Sequence, residues 1–386
     1  MSFPGNEAPY DGAMTSARLL AWRLASQRLD GRQAGDPAWI VRHLGAVQAQ
    51  EYGQSLWAVG LRTRDATGPA VEAAIQRGSI LRTWPMRGTI HLVPAEDARW
   101  MLDLLAGRRI RQMATIYRRI GLTEQVLGRA ADVTAGELRG GRRLRRPDLL
   151  ARLAERGIDC SASPHGSRGS HILGYLSMTG LVCIGPMDGA QQTFVLLDEW
   201  APRPRRPEDP AAELAARYFI SHGPATVRDF GWWSGLPLSQ VRAAIERAGP
   251  ALAATELDGG MYWHGRGQAA TRPGDGEAAG VALLLPAFDE YTVAYRDREM
   301  LVAGEHQLPP GDLLNPVMVL GGHAVGLWRR VIARGRVRLT LAPFRRLSAG
   351  DRDRFAAAAE RYAAFLGLPA EIGGAEAAQV RRQRRQ

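Results

Sequence analysis

From Ala17 onward apolar positions fall three and four apart, then give way to β-rich residues, then return. "ARLLAWRLASQRL" predicts an amphipathic helix with Thr15 or Ser16 as its cap, after a loose polar arm. "DPAWIVRHLGAV" predicts a second helix, with Asp36 as N-cap and Pro37 in the first helical position. Ile40, Leu44 and Val47 recur at helical spacing and give it a buried face. "GPAVEAAIQRG" continues as helix, "ILRTWPMRGTIHLV" as β structure, and "AEDARWMLDLLAG" as helix again. Helices followed by a β segment are compatible with a winged-helix unit, here residues 14–122.

The order then recurs. In residues 123–200, "RPDLLARLAERG" and "SHILGYLSMTG", the latter closed by Gly180, precede the strands "LVCIGP" and "TFVLLD" around "MDGAQQ". "APRPRRPEDP" reads as a linker. In residues 208–268, Thr226 and Asp229 have capping-box spacing, and "ATELDGGMYWHG" carries an Asp258-Gly259 hairpin signal. The two Asp-Gly turns lie about 70 positions apart in matching contexts, which suggests a duplicated helix-helix-wing unit. After a Gly-rich link (274–280), residues 281–367 are mostly β, from "VALLLPAFDEYTVAYRD" to "RVRLTLAPF". Ser348 and Asp351 cap a last helix ended by Gly367, and residues 368–386 read as a basic tail. The expected class is therefore α+β: three tandem winged-helix units, a β-rich C-terminal segment and a terminal helix.

Charge narrows the function. Fifty basic residues against 39 acidic ones leave +11 and a pI near 10.5, and every one of the fifty is Arg. Without lysine neither a Walker-type phosphate contact nor a side-chain Schiff base is available. The positive excess favours a polyanionic partner through phosphate neutralisation; solvated charge is the plainer alternative. Arg82 and Arg87, interleaved with Trp84 and His91, suit phosphate contact and stacking, and Arg296 and Arg298 are further charge-based DNA-binding candidates. Cys160 and Cys183 form no CxxC and read as reduced core or near-core residues. The start lacks an apolar signal region and no run approaches membrane-spanning length, so a cytoplasmic, nucleoid-associated protein is expected. "GRGQAA" at Gly265 lacks the strand-turn-helix context of a dinucleotide site, the histidines lack zinc spacing, and there is no GxSxG elbow. No cofactor or metal is expected.

"AVQAQEYG", where the second helix should stop, holds Gln48 and Gln50 around Ala49. On a continuing helix residues two apart point to nearly opposite sides; on an extended chain they share one side, with Ala49 turned to the core. Two amides could then hold a water between them. A neutral amide is a poor general base and would suffice only for an excellent leaving group, such as a purine made cationic by alkylation at N7. An ordinary polar helix end is the competing interpretation.

"GAVQAQEYGQSLWAVGLRTRD", "LRTWPMRGTIHLVPAED", "LLLPAFDEYTVAYRDRE" and "NPVMVLGGHAVGLWRR" resemble the AlkZ-like family of winged-helix DNA glycosylases, over roughly residues 14–367. The resemblance implies monofunctional excision of N7-alkylated guanine from double-stranded DNA, including bulky natural-product adducts and interstrand crosslinks. It implies Gln48 and Gln50 as the catalytic pair, matching the family's Gln, apolar, Gln motif; a related branch carries Asp in the last place. A monomer without an obligatory protein partner is expected. The rival class is a winged-helix regulator or damage sensor without chemistry.

Overall fold

The computed structural model describes residues 15–268, 278–302 and 311–374. Thr15 accepts a hydrogen bond from Arg18 N and opens α1 (Ser16–Ser26). Asp36 caps α2 (Pro37–Leu44), whose Ile40, Val41 and Leu44 are fully buried. Gly45 takes φ +79°, a left-handed value open to glycine, and the helix stops there. The chain leaves extended as β1 (Val47–Gln48), so Val47 is buried from a strand rather than from the predicted helix face. Next come α3 (Tyr52–Gly60), α4 (Gly68–Gln76) and the hairpin of β2 (Ile80–Met86) and β3 (Thr89–Pro94). Arg87 and Gly88 form its turn at φ +56° and +76°, the mirror-image geometry that follows the twist of paired strands.

The long α5 (Ala98–Arg119) leads to α6 (Glu124–Leu138), β4 (Leu144–Arg145) and α7 (Arg146–Glu155). A small ribbon of β5 (Ala162–Ser163) and β6 (Gly166–Ser167) precedes α8 (Arg168–Met178), β7 (Val182–Ile184), β8 (Thr193–Leu196) and the helical turn α9 (Leu197–Trp200). The first two hairpins are fused rather than separate. Arg82 pairs with Ile184, which joins them in one six-stranded sheet of order β1-β3-β2-β7-β8-β4. Two strand edges that would be open on isolated wings satisfy each other.

The helices α10 (Pro210–His222), α11 (Val227–Ser234) and α12 (Leu238–Ala248) precede the hairpin of β9 (Leu252–Leu257) and β10 (Gly260–Gly265). Both predicted devices are present: the reciprocal Thr226–Asp229 capping box, and the Asp258-Gly259 turn at φ +49° and +72°. The C-terminal part begins with β11 (Ala282–Leu285). Asp289 then accepts from Tyr291 N and starts a single helical turn, α13 (Glu290–Val293), inside the stretch expected to be mostly β. Strands β12 (Val317–Leu320), β13 (His323–Ala333) and β14 (Arg336–Pro343) continue the antiparallel sheet. After α14 (Ala349–Leu366), β15 (Ala370–Gly374) runs parallel to β14, so part of the stretch read as a basic tail is a paired edge strand. The arm (1–14), the Gly-rich link at 274–277 and the tail from 375 lie outside the described residues.

Among the described residues, buried side chains form three clusters. One joins α1 to α4 with the C-terminal sheet and α14, another joins β2, β3 and α5 with α10 to α12, and the third fills the space among α5 to α8 and β7 and β8. In the first, Trp57 Nε1 donates to Leu284 O at 2.8 Å, and Arg62 grips Asp289 with two bonds of 2.7 and 2.9 Å, both side chains fully buried. The opening helices and the closing strands thus share one core. That sharing brings residue 48 beside residue 290.

Candidate active site

β1 is the edge strand of the six-stranded sheet, and its short extension settles where the glutamines point. Ala49 is fully buried; its N–H donates to Ile90 O at 2.7 Å, and Gln48 lies opposite His91 in register. With Ala49 inward, Gln48 and Gln50 share one side. Their amides bond directly, Gln48 Nε2 donating to Gln50 Oε1 at 2.9 Å, with Gln48 half-buried and Gln50 exposed. They are closer than two groups with a water held between them. The bond leaves Gln48 Oε1 free to accept, and leaves N–H donors on both amides, so a water could still be held against the pair.

The backbone of β1 is held from its other side as well. Gln48 N–H faces away from β3 and donates to Glu290 Oε1 at 3.0 Å. Glu290 Oε2 accepts from Trp233 Nε1 at 2.9 Å and lies 3.6 Å from His222 Nε2. Burial alone would raise this carboxyl; the neighbouring His222 and the charges of His91 and Arg87 hold it down at about 2. His91 is fully buried, and burial, aided by the Arg87 cation, pushes its imidazole down to about 4. Arg87 Nη2 stands 3.4 Å from His91 Nε2, linking the glutamine strand to the surface beyond the hairpin.

That surface is a cleft of about 550 Å³ between α5 and the α11–α12 turn. Arg87, Arg108, Arg109, Arg228 and Arg296 line it beside Trp232, and no acidic residue is among the described lining residues. Trp232 keeps 46% of its surface exposed, and the Arg298 guanidinium stands 5.6 Å from its ring. The hairpin turn fits closely against α5: a Cβ added at Gly88 would lie 2.6 Å from Arg109 Nε.

The structure separates the sequence-based candidates. Gln48 and Gln50 meet; Arg87 and Arg296 share the cleft, and Arg298 stacks near its Trp232. Arg82 must be corrected. It is fully buried, its Nη2 donates to Ala49 O at 3.1 Å, and its guanidinium lies 4.7 Å from the Tyr52 ring. A group with no exposed surface cannot meet a phosphate, so Arg82 braces the Gln-Ala-Gln backbone from inside. Glu290, Trp233, His222, Arg108, Arg109 and Arg228 escaped the sequence reading. One signal was available for Glu290: Asp289-Glu290 amid apolar residues predicts buried acids that need partners.

Comparison with known proteins identifies the fold and the family. The sequence profile of the family described as "DNA glycosylase AlkZ-like" matches residues 41–365. The interstrand DNA cross-link repair glycosylase of Streptomyces sahachiroi is 28% identical over 332 residues, covering 81% of this chain and 87% of that protein. The solved structure of the Streptomyces sahachiroi DNA glycosylase AlkZ superposes with a TM-score of 0.75 at 24% identity, covering 94% of this chain and 100% of that one, so the two share a fold. The profile spans well over half of the sequence and takes in the glutamine strand, the arginine cleft and the acid behind them: the chain belongs to the AlkZ-like DNA glycosylase family.

Proposed function

We propose that this DNA glycosylase hydrolyses the N-glycosidic bond of N7-alkylguanine in double-stranded DNA, with bulky adducts and interstrand crosslinks as its substrate class. The observation that carries the proposal is the bonded Gln48–Gln50 pair on an edge strand connected through His91 and Arg87 to an arginine-lined cleft. Arg87, Arg108, Arg109, Arg228 and Arg296 grip backbone phosphates, and Trp232 offers a face for stacking. Gln48 and Gln50 hold a water against C1′ of the deoxyribose. The C1′–N9 bond breaks with its electron pair passing to the purine, which neutralises the N7 cation. The water oxygen bonds C1′ and its spare proton passes to solvent. The helix pairs followed by hairpins support three tandem winged-helix units, 14–122, 123–200 and 208–268, acting as a monomeric scaffold. Among the described residues no helix is long and apolar enough to cross a membrane, as suits a protein that works on DNA.

The chain has no lysine, so strand scission through a side-chain Schiff base is closed to it. Incubation with N7-methylated duplex DNA should therefore release the free base and leave abasic sites in an intact strand until alkali is added. Failure to release base, or borohydride trapping of a protein–DNA adduct, would overturn the proposal.

A further inference from the structure

We propose that Glu290 is a positioning residue for this reaction, a buried negative charge that fixes Gln48 from behind and opposes the positive charge developing on the sugar. The inference rests on the function proposed above and adds an anion to a centre whose water-holding groups are two neutral amides.

Val47 and Ala49 belong to the β1–β3 ladder, which turns the Gln48 N–H outward to the sheet edge. An edge N–H buried without an acceptor is costly, and Glu290 Oε1 accepts from it at 3.0 Å. Any neutral acceptor would satisfy that need. A carboxylate with no exposed surface is a far more expensive choice, because desolvation disfavours a buried charge without a cationic partner. Its neighbour shows the ordinary solution: Asp289, equally buried, is neutralised by the two-pronged Arg62. Glu290 has no such fork: its two oxygens receive neutral N–H groups, from Gln48 and from Trp233 Nε1 at 2.9 Å, and its positive neighbours stand further off, His222 Nε2 at 3.6 Å and the Arg87 guanidinium beyond it. Two donors on two different oxygens are the pattern of an ionised carboxylate.

A charge only loosely neutralised at rest gains most where a further positive partner arrives later. Departure of an alkylated purine leaves an oxocarbenium-like sugar, and a fixed anion in a low-dielectric site stabilises that cation more than it stabilises the uncharged sugar of the ground state. Glu51, next along the chain from Gln50, cannot do this equally well: it is exposed, and water screens its charge. The bond to Gln48 N also holds the strand that aims the amide. Position and charge come from one side chain.

The test uses the full chain and two abasic-site duplexes, one with a cationic pyrrolidine and one with a neutral tetrahydrofuran in place of the sugar. The wild type should bind the cationic duplex roughly 10-fold tighter or more. Glu290→Gln should abolish most of that preference, while Glu290→Asp, which keeps the charge, should retain it. Single-turnover excision of N7-methylguanine by Glu290→Gln should slow by about 100-fold with little change in the concentration of DNA needed for half-saturation. Equal excision by folded Glu290→Gln and wild type overturns this inference alone. If Glu290→Gln does not fold, the wild type still decides, since equal affinity for the two duplexes refutes the charge. A wild type that excises nothing overturns the underlying function as well.

Discussion

Arg82 shows how far one residue can move between sequence and structure. It sits in a basic, aromatic stretch that suits phosphate contact, yet its guanidinium is sealed beneath the glutamine strand with Ala49 O as its acceptor. Burial pushes its pKa down to about 10, as for a cation paired with neutral groups rather than carboxylates. Arg82→Ala should leave the Ala49 carbonyl without its donor and cost about 1–3 kcal/mol, with some further loss for the cavity. Thermal unfolding should record that loss while affinity for undamaged duplex stays near wild type. Arg296→Ala should do the reverse, since Arg296 is exposed and lines the cleft. Weakened binding with unchanged stability in Arg82→Ala would restore the phosphate role and remove the bracing one.

Among the elements, the β2–β3 hairpin joins the two halves of the site. Its turn places Arg87 in the cleft, and β3 holds β1 in register. Gly88→Ala should disturb it in two ways. The left-handed φ of +76° strains any L side chain by roughly 1–2 kcal/mol, and the new Cβ would displace Arg109. Gly121→Ala is the control, with the same φ of +76° and nothing within 4 Å of its Cβ. Both variants should lose similar stability, but only Gly88→Ala should lose DNA affinity in an anisotropy titration. Equal affinity in the two would detach the turn from binding.

Elements of this kind are where the sequence was most legible. The Thr226–Asp229 box, the Asp258-Gly259 turn and the Ser348 cap act within four residues of themselves, so a local pattern specifies them. The direction of Gln48 and Gln50 followed from one local question, whether the helix ends before them, and Gly45 answers it. The Arg82–Ile184 pairing that fuses two hairpins, and the meeting of Gln48 with Glu290, join residues far apart in the chain. Nothing in periodicity encodes such partners; they follow from how the layers pack. Arg82 misled because a buried guanidinium and a solvated one look alike in a row of letters.

For the whole molecule, charge and burial set the response to solution conditions. With +11 overall and five arginines in one cleft, binding should follow counterion release, with log affinity falling against log salt at a slope of roughly −4 to −5. Affinity that ignores salt would contradict the cleft. Stability should respond to acid through His43 and His91, each pushed down to about 4 chiefly by burial. Both are neutral when folded and accept protons more readily when unfolded. The unfolded state therefore binds more protons between pH 6.5 and 4, and stability falls as pH drops through that window. Urea midpoints across it should decline steadily, and a flat profile would mean that the imidazoles are not buried neutral.

If the Gln48–Gln50 pair positions the attacking water, single-turnover excision by the Gln48→Ala/Gln50→Ala protein is the measurement that shows it most directly. Both side chains reach the surface and bond to each other, so their removal should leave folding and binding to alkylated duplex near wild type. Excision should fall by about 100-fold or more, the scale of a lost positioning interaction. Excision at the wild-type rate by this folded, DNA-bound variant would show that the water is held elsewhere.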